Sequence, residues 1–374
     1  MAVPVAVFVG TAAAFDARCS WPHASPRAAT YSCGVDTYAL AARIEAAARE
    51  SGFSGAVRVD VGGERLRVAH GLADRTTGRP NTPDTKFATA SGSKTLTALM
   101  IVRLVEHGAL GLDTRARELL GDDLPLIADD VTVEHLLSHR SGIGDYLDED
   151  AIEDMTEVVP PVPIEQLDVT SGFLSWLDGH PTAFPAGERF AYCNGGYVVL
   201  ALLAERATGR SFHDLVDELV IRTAGLHDTA YLRTDALPAD AAIGYVHADD
   251  APERLRTNAR NLPVRGNGDG GAYTTVDDVH DLWRAVFAGQ VVSPESVALM
   301  TRRHSEVAEP EDDRGYGFGF WSCPSGHYIM LGGDTGVSFK SLHCPERDLT
   351  YTVISNWTDG AWPVTQLLND ELGT

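Results

Sequence analysis

A serine hydroxyl becomes a useful nucleophile only when a base stands ready to take its proton, and the stretch Ser91-Gly-Ser-Lys94 offers such a pair. Lysine is scarce in this chain: Lys86, Lys94 and Lys340 are set among 30 Lys and Arg residues in all. Arginine does not give up its proton in a protein, whereas a lysine desolvated in a cleft can act as a base. If a helix starts at Ser91, the two side chains share a face, and the free N–H groups of the first turn point toward incoming negative charge. That N-terminus would then supply half of an oxyanion hole. A lysine serving as base near neutral pH must be brought from about 10.4 toward 7–8 by burial and nearby dipoles. The apolar run after Lys94 offers that burial. The plainer alternative is a helix-capping serine followed by an exposed lysine.

Tyr192-Cys193-Asn194, just ahead of an apolar run beginning at Gly195, is the second chemical candidate. A tyrosine hydroxyl relays protons to a leaving group or an incoming water if an ammonium nearby eases its ionisation. Asn194 can hold a substrate carbonyl or the lysine. The structural alternative is a tyrosine packing a loop and an asparagine capping the next helix.

The elements that must position these residues follow from periodicity. A helix with apolar Leu40, Ile44 and Ala47 leads into alternating Val57, Val59 and Val61; Gly62-Gly63 turns the chain, and Leu66–Gly71 completes a hairpin with one buried face. Strand signals return in 317–321, 327–331, 337–341 and 349–354. Between them the period is helical: Thr95–Gly108 and Gly195–Gly209 read as buried helices, and 131–139 and 276–287 as shorter amphipathic ones. Pro-rich Val158–Pro163 reads as a surface loop. The simplest arrangement is an α+β fold with an antiparallel sheet built from both ends of the chain, flanked by helices, and an all-helical lobe inserted between. In this division residues 1–35, rich in Ala, Pro and Ser, form an N-terminal extension. Residues 36–374 form one catalytic domain, with a sheet lobe at about 36–90 and 268–374 and a helical lobe at about 91–267.

The chain has 374 residues, 44% of them hydrophobic, which suffices for a large core. Its formal charge of −23 opposes nucleic acid and anionic membrane surfaces as partners. Met1–Phe15 is apolar and small like the core of an export signal, yet no Lys or Arg precedes it, so a cytoplasmic location is expected with export as the alternative. No apolar stretch reaches the roughly 20 residues that cross a bilayer. The five cysteines, Cys19, Cys33, Cys193, Cys323 and Cys344, are odd in number and read as buried or idle thiols, with Cys19–Cys33 and Cys323–Cys344 as conceivable bridges.

Four ordered blocks, Phe87–Thr95, Val131–Gly142, Phe184–Tyr197 and Gly315–Phe320, resemble serine hydrolases of the class C β-lactamase superfamily, which includes penicillin-binding DD-peptidases, D-aminopeptidases and β-lactamase-like esterases. The resemblance covers about residues 35 to 360. It implies a β-lactamase/transpeptidase-like fold with the site between a sheet lobe and a helical lobe. By the same carry-over Ser91 is the acylated nucleophile, Lys94 its general base and Tyr192 the proton relay. His139 matches a family position taken as structural.

The family's third motif, Lys-Thr-Gly or His-x-Gly on an edge strand, is where this chain departs. An ungapped alignment through Gly332–Ser338 puts Met330-Leu331-Gly332 there, so the cation that binds a penicillin or peptide carboxylate is missing. Asp334-Thr-Gly336 fits only with a gap and sets an acid at the cation's position; His327 lies too early. Gly333 N–H could pair with Ser91 N–H around an oxyanion. The substrate-binding candidates are accordingly Asn194, Met330, Gly332 and Gly333.

Acidic pairs such as Asp122-Asp123, Asp129-Asp130, Asp249-Asp250 and Asp312-Asp313 read as solvated turns, and none has metal-site spacing. No cofactor or metal is expected. The reading is a serine hydrolase that cleaves an ester or amide of a small molecule through an acyl-enzyme, with esterase activity favoured over β-lactamase. Amidases of the D-aminopeptidase or DD-peptidase type and acyl transfer are the alternatives, and a non-catalytic ligand-binding homologue is the alternative of another class.

Overall fold

The computed structural model describes residues 36–149, 152, 157–248, 251–307 and 313–374, with backbone alone at 251–253. The expected N-terminal extension, Cys19, Cys33, Asp249-Asp250 and Asp312 lie outside the described residues.

Helix α1 (Thr37–Ser51) opens on Asp36, whose carboxylate accepts the N–H groups of Tyr38 and Ala39 at 3.0 Å, and closes on left-handed Gly52. Its buried residues are Leu40, Ile44 and Ala48, so Ala48 rather than Ala47 faces inward. Strands β1 (Gly55–Val61) and β2 (Glu64–His70) pair with Val61 opposite Glu64 across Gly62-Gly63, both at positive φ, as a two-residue hairpin turn demands.

Six further strands extend this hairpin: β3 (Ser305–Glu306), β4 (Gly315–Tyr316), β5 (Trp321–Ser322), β6 (Tyr328–Asp334), β7 (Val337–Cys344) and β8 (Leu349–Ser355). Their order is β2-β1-β8-β7-β6-β5-β4-β3, so the last long strand lies beside the first and the two ends of the chain close one antiparallel sheet. Strand β1 is covered on both faces, not one. Val57 and Val59 pack with Leu40, Val353 and Leu368, while buried Arg58 on the other face pairs with Asp60 and Asp277.

One face of the sheet carries α1 and the C-terminal helix; the other carries α2 (Lys94–Glu106), α3 (Asn194–Thr208) and α4 (Val276–Phe287), joined in one large apolar core with Ile354, Phe339 and Met330. Nearly every side chain from Lys94 to Leu104, and from Asn194 to Ala204, is buried. Each fully buried Leu, Val or Met contributes about 1.5–3 kcal/mol, enough together to offset the polar groups that these helices carry inward. Within the segment 91–267 helices are the commonest regular elements, joined by long loops, and a hairpin, Tyr245–Ala248 with Ala251–Thr257, stands among them. Residues 158–163 form a loop as expected, but Pro160 is buried and Val158 reaches the cleft described below. Among the described residues no helix is long and apolar enough to cross a membrane. Cys193, Cys323 and Cys344 are buried thiols, and no bridge joins Cys323 to Cys344.

Candidate active site

Ser91 does not start the long helix. It sits in a separate 3-10 turn, Ala90–Ser93, and α2 begins at Lys94. The turn is pinned from the 270–272 segment: Thr89 N–H and hydroxyl both donate to Ala272 O, Gly271 N–H donates to Ala90 O, and Ser93 Oγ donates to Ala90 O at 2.7 Å. Ala90 is held at φ 44°, a left-handed conformation that is costly for a residue with a Cβ and that the surrounding bonds must enforce. Gly92 is required by packing: a Cβ there would lie 2.4 Å from the Phe339 ring.

Lys94 is 2% exposed. Its Nζ donates to Ser91 Oγ at 2.9 Å, Asn194 Oδ1 at 2.7 Å and the Asp269 carbonyl at 2.7 Å. Burying an unpaired ammonium costs on the order of several kcal/mol, and three acceptors for three donors are what make this position tolerable. The contact at Ser91 serves equally with the proton on either partner.

Asn194 is oriented by three bonds and turns its side-chain oxygen to the lysine. Its N–H donates to Asp145 Oδ2 at 2.7 Å, and its Nδ2 donates to Leu147 O at 3.1 Å and Glu149 Oε1 at 2.9 Å, which fixes Oδ1 toward Nζ. The cap of α3 is therefore Asp145, which also accepts Gly195 N–H at 2.8 Å, and not the asparagine. Burial pushes the Asp145 carboxyl up to about 6 despite those N–H donors.

Tyr192 lies with its ring 5.0 Å from Lys94 Nζ and its hydroxyl directed to the Ser91 side chain. The ring is held between His139, at 4.4 Å between centroids, and Trp321, at 6.0 Å. Burial first, and then the negative charge of Glu149, hold its hydroxyl well above the usual phenol range. The hydroxyl is thus held against the ionisation that a nearby ammonium was expected to ease, and Tyr192 stands as a neutral donor and acceptor. His139 is 1% exposed, and its Nδ1 accepts the Cys193 N–H at 3.1 Å. Burial, followed by the charge of Lys94, keeps this imidazole neutral, so it is the hydrogen-bonded core histidine expected.

The third-motif residues divide. Gly332 belongs to the site: a Cβ on it would stand 2.1 Å from Thr89 O and 3.0 Å from Ser91 N, so the strand abuts the nucleophile turn and only glycine fits. Gly333 follows it on β6, opposite Ser338. Met330 does not belong. It is 3% exposed and packs beneath the turn with Leu96, Leu282 and Phe339, because side chains two apart on a strand share a face and that face is core at 330. On the same face, Asp334 reaches the cleft described next.

An open cleft adjoins Ser91, with Ala90 and Gly270 lining its end beside the nucleophile turn. An aromatic wall of Tyr146, Phe173 and Trp176 forms one side, with Tyr146 and Trp176 edge to face at 4.7 Å. Val337 lines it too, and Asp269 and Asp334 bring carboxylates. Asp269 is occupied: one oxygen takes the Tyr146 hydroxyl and its carbonyl takes Lys94. Sequence reasoning missed Asp145, Tyr146 and Asp269, and met Asp334 only as the gapped alternative for the third motif. A signal existed for Asp269, because the glycine-dense run Gly266-Asn-Gly-Asp-Gly-Gly271 marks backbone approaching something closely. Among the described residues no group of three or more His, Cys, Asp or Glu is disposed to hold a metal ion.

Comparison with known proteins places this geometry. The profile of the Beta-lactamase family matches residues 40–368. Esterase EstB of Burkholderia gladioli is 33% identical over 321 residues, 77% of this chain and 81% of that one. A D-aminopeptidase of Brucella anthropi is 29% identical over 82% of this chain and 57% of its own length. Among solved structures, the penicillin-binding protein from Bacillus halodurans superposes with a TM-score of 0.81 at 33% identity, covering 87% of this chain and 99% of that one. With the expected antiparallel sheet, flanking helices and ordered motif blocks all present, the chain belongs to the β-lactamase family and is a serine hydrolase of that family.

Proposed function

We propose that the chain is an esterase that cleaves small-molecule esters through an acyl-enzyme on Ser91. The observation that carries this is the buried Lys94 Nζ 2.9 Å from Ser91 Oγ, with Asn194 fixing its direction. As Ser91 Oγ attacks the ester carbonyl carbon, its proton passes to the Lys94 amine, and the carbonyl electron pair moves onto oxygen between the Ser91 and Gly333 N–H groups. The tetrahedral centre collapses, the C–O bond to the alcohol breaks, and the alkoxide takes a proton relayed from Lys94 through the neutral Tyr192 hydroxyl. Water then gives its proton to the same base and attacks the acyl carbon; the acyl–Ser91 Oγ bond breaks as that proton returns to Ser91 Oγ, and the acid is freed.

Esters are favoured over β-lactams on electrostatic grounds. A penicillin brings a carboxylate, and the described residues lining the cleft include Asp269 and Asp334 but no Lys or Arg. The buried Lys94 has its three donors committed inside the site. This replaces the sequence argument from Met330, whose side chain is elsewhere. The test is covalent labelling by a fluorophosphonate together with a panel of 4-nitrophenyl esters and nitrocefin. Labelling lost in Ser91→Ala and weakened in Lys94→Ala, with esters turned over and nitrocefin not, is the expected result. Rapid nitrocefin turnover would overturn the preference, and labelling retained in Ser91→Ala would overturn the nucleophile.

A further inference from the structure

We infer that Asp334 makes the cleft beside Ser91 selective for substrates that carry a protonated amine on an apolar body. This rests on the reading of Ser91 as nucleophile, since the cleft is a substrate pocket only if the chemistry occurs at its inner end.

The cleft has the two halves that such a ligand requires. Its walls are aromatic and aliphatic, with Phe173 and Trp176 stacked at 6.4 Å between centroids and Val337 also lining it. Its polar character is negative. Asp334 stands at the end of β6, four residues beyond the buried Met330 and two beyond the glycine that touches the Ser91 turn. One of its oxygens accepts the Thr335 N–H at 2.7 Å, and among the described residues no side-chain cation pairs with it. Asp269, by contrast, is already bonded to Tyr146 and has its carbonyl on Lys94.

The charged groups around Asp334 come from three elements. Glu149 on the 145–149 loop and Asp269 on the glycine-rich loop repel its negative charge, and Lys94 on α2 attracts it. Burial is the largest influence, and together they hold the carboxyl at about 7. A carboxylate kept half-desolvated without a counter-ion is an acceptor that a bound ammonium completes, and a neutral body on the same ligand fills the aromatic wall.

The test is equilibrium binding of phenethylammonium and 2-phenylethanol at pH 8 to the wild-type chain and to Asp334→Asn, read by tryptophan fluorescence and calorimetry, with circular dichroism to verify folding. A charge-assisted bond predicts phenethylammonium binding about 10-fold or more tighter than the alcohol in the wild type, with the ratio falling toward one in Asp334→Asn. Equal binding of the two probes by the wild type overturns the proposal, and so does a preference that survives in a folded Asp334→Asn. Neither readout needs turnover. Wild-type labelling at Ser91 without an ammonium preference removes this inference alone, whereas absence of labelling removes the hydrolase reading whatever the probes do.

Discussion

At the scale of single residues, the site is a lysine whose surroundings leave it one productive neighbour. Asn194 Oδ1 and the Asp269 carbonyl hold two of its protons inward, and the third position faces Ser91. Tyr192 is the other group on that oxygen, kept neutral by burial and by Glu149. Tyr192→Phe keeps the ring between His139 and Trp321 but removes the relay, so kcat for an ester should fall by about 100-fold or more with KM little changed. An unchanged kcat would assign the relay to another group.

Asp334 carries a stability consequence as well. Its folded-state value near 7 lies above the ordinary carboxyl value, so the folded chain binds the proton more tightly than the unfolded one. Stability from this group is therefore full below about pH 4 and is lost as pH rises to about 7. Asp334→Asn should gain stability relative to the wild type across that interval, by about 4 kcal/mol at pH 8 against about 1.5 kcal/mol at pH 5, measured by urea unfolding at the two pH values. Equal differences at the two pH values would mean that the carboxyl is not perturbed. Ser91 and Lys94 were legible because spacing reports neighbours one turn apart, and Tyr192 because the ordered motif blocks resemble those of the family. Asp145 was not, and Asp334 was met only as an acid at a gapped alignment position, because their meaning comes from residues that only the fold brings near.

At the scale of elements, the sequence pattern located the strands and the long helices but misjudged where one begins and what caps another. An apolar run starting at Leu96 defines α2, yet nothing in it reveals that Ser91 lies on a separate turn held by the 270–272 backbone. An asparagine ahead of a helix reads as its cap, and the real cap is an aspartate 49 positions away in the chain. Met330 was placed in the site by alignment, and the two-residue alternation of β6 puts it in the core instead. The glycine two residues on is the true point of contact. Gly332→Ala would drive a Cβ into Thr89 O at 2.1 Å, and the turn must move. The variant should stay folded by circular dichroism and lose about 100-fold or more in kcat/KM, the cost of disturbing an oxyanion donor. Activity within a few-fold of the wild type would show that β6 does not shape the oxyanion position.

At the scale of the molecule, the catalytic geometry depends on closing one sheet from both chain ends. Strand β1 pairs with β8 from Gly55 opposite Ser355 to Val61 opposite Leu349, and the C-terminal helix, α5 (Ala361–Leu372), packs on the same face as α1. Alternation predicted strands at both ends of the sequence, and that bracketing pattern is the part of the topology that sequence alone made readable. The covering of both faces of β1 was not readable, since Arg58 looks like a solvent residue until Asp60 and Asp277 are seen around it. Leu368, fully buried in the core beneath α1, reports on this closure. Leu368→Ala should cost about 2–5 kcal/mol by urea unfolding although it lies far in sequence from every site residue. A cost under about 0.5 kcal/mol would mean that α5 is not part of the cooperative fold.

The account turns on Ser91 accepting an acyl group with help from Lys94. The most direct measurement is acid quenching during turnover of a 4-nitrophenyl ester, followed by peptide mass spectrometry to locate the trapped acyl group. The account predicts the added mass on the peptide carrying Ser91, absent in Ser91→Ala and strongly reduced in Lys94→Ala. An acyl group found on any other residue, or trapped equally well without the lysine, would contradict it.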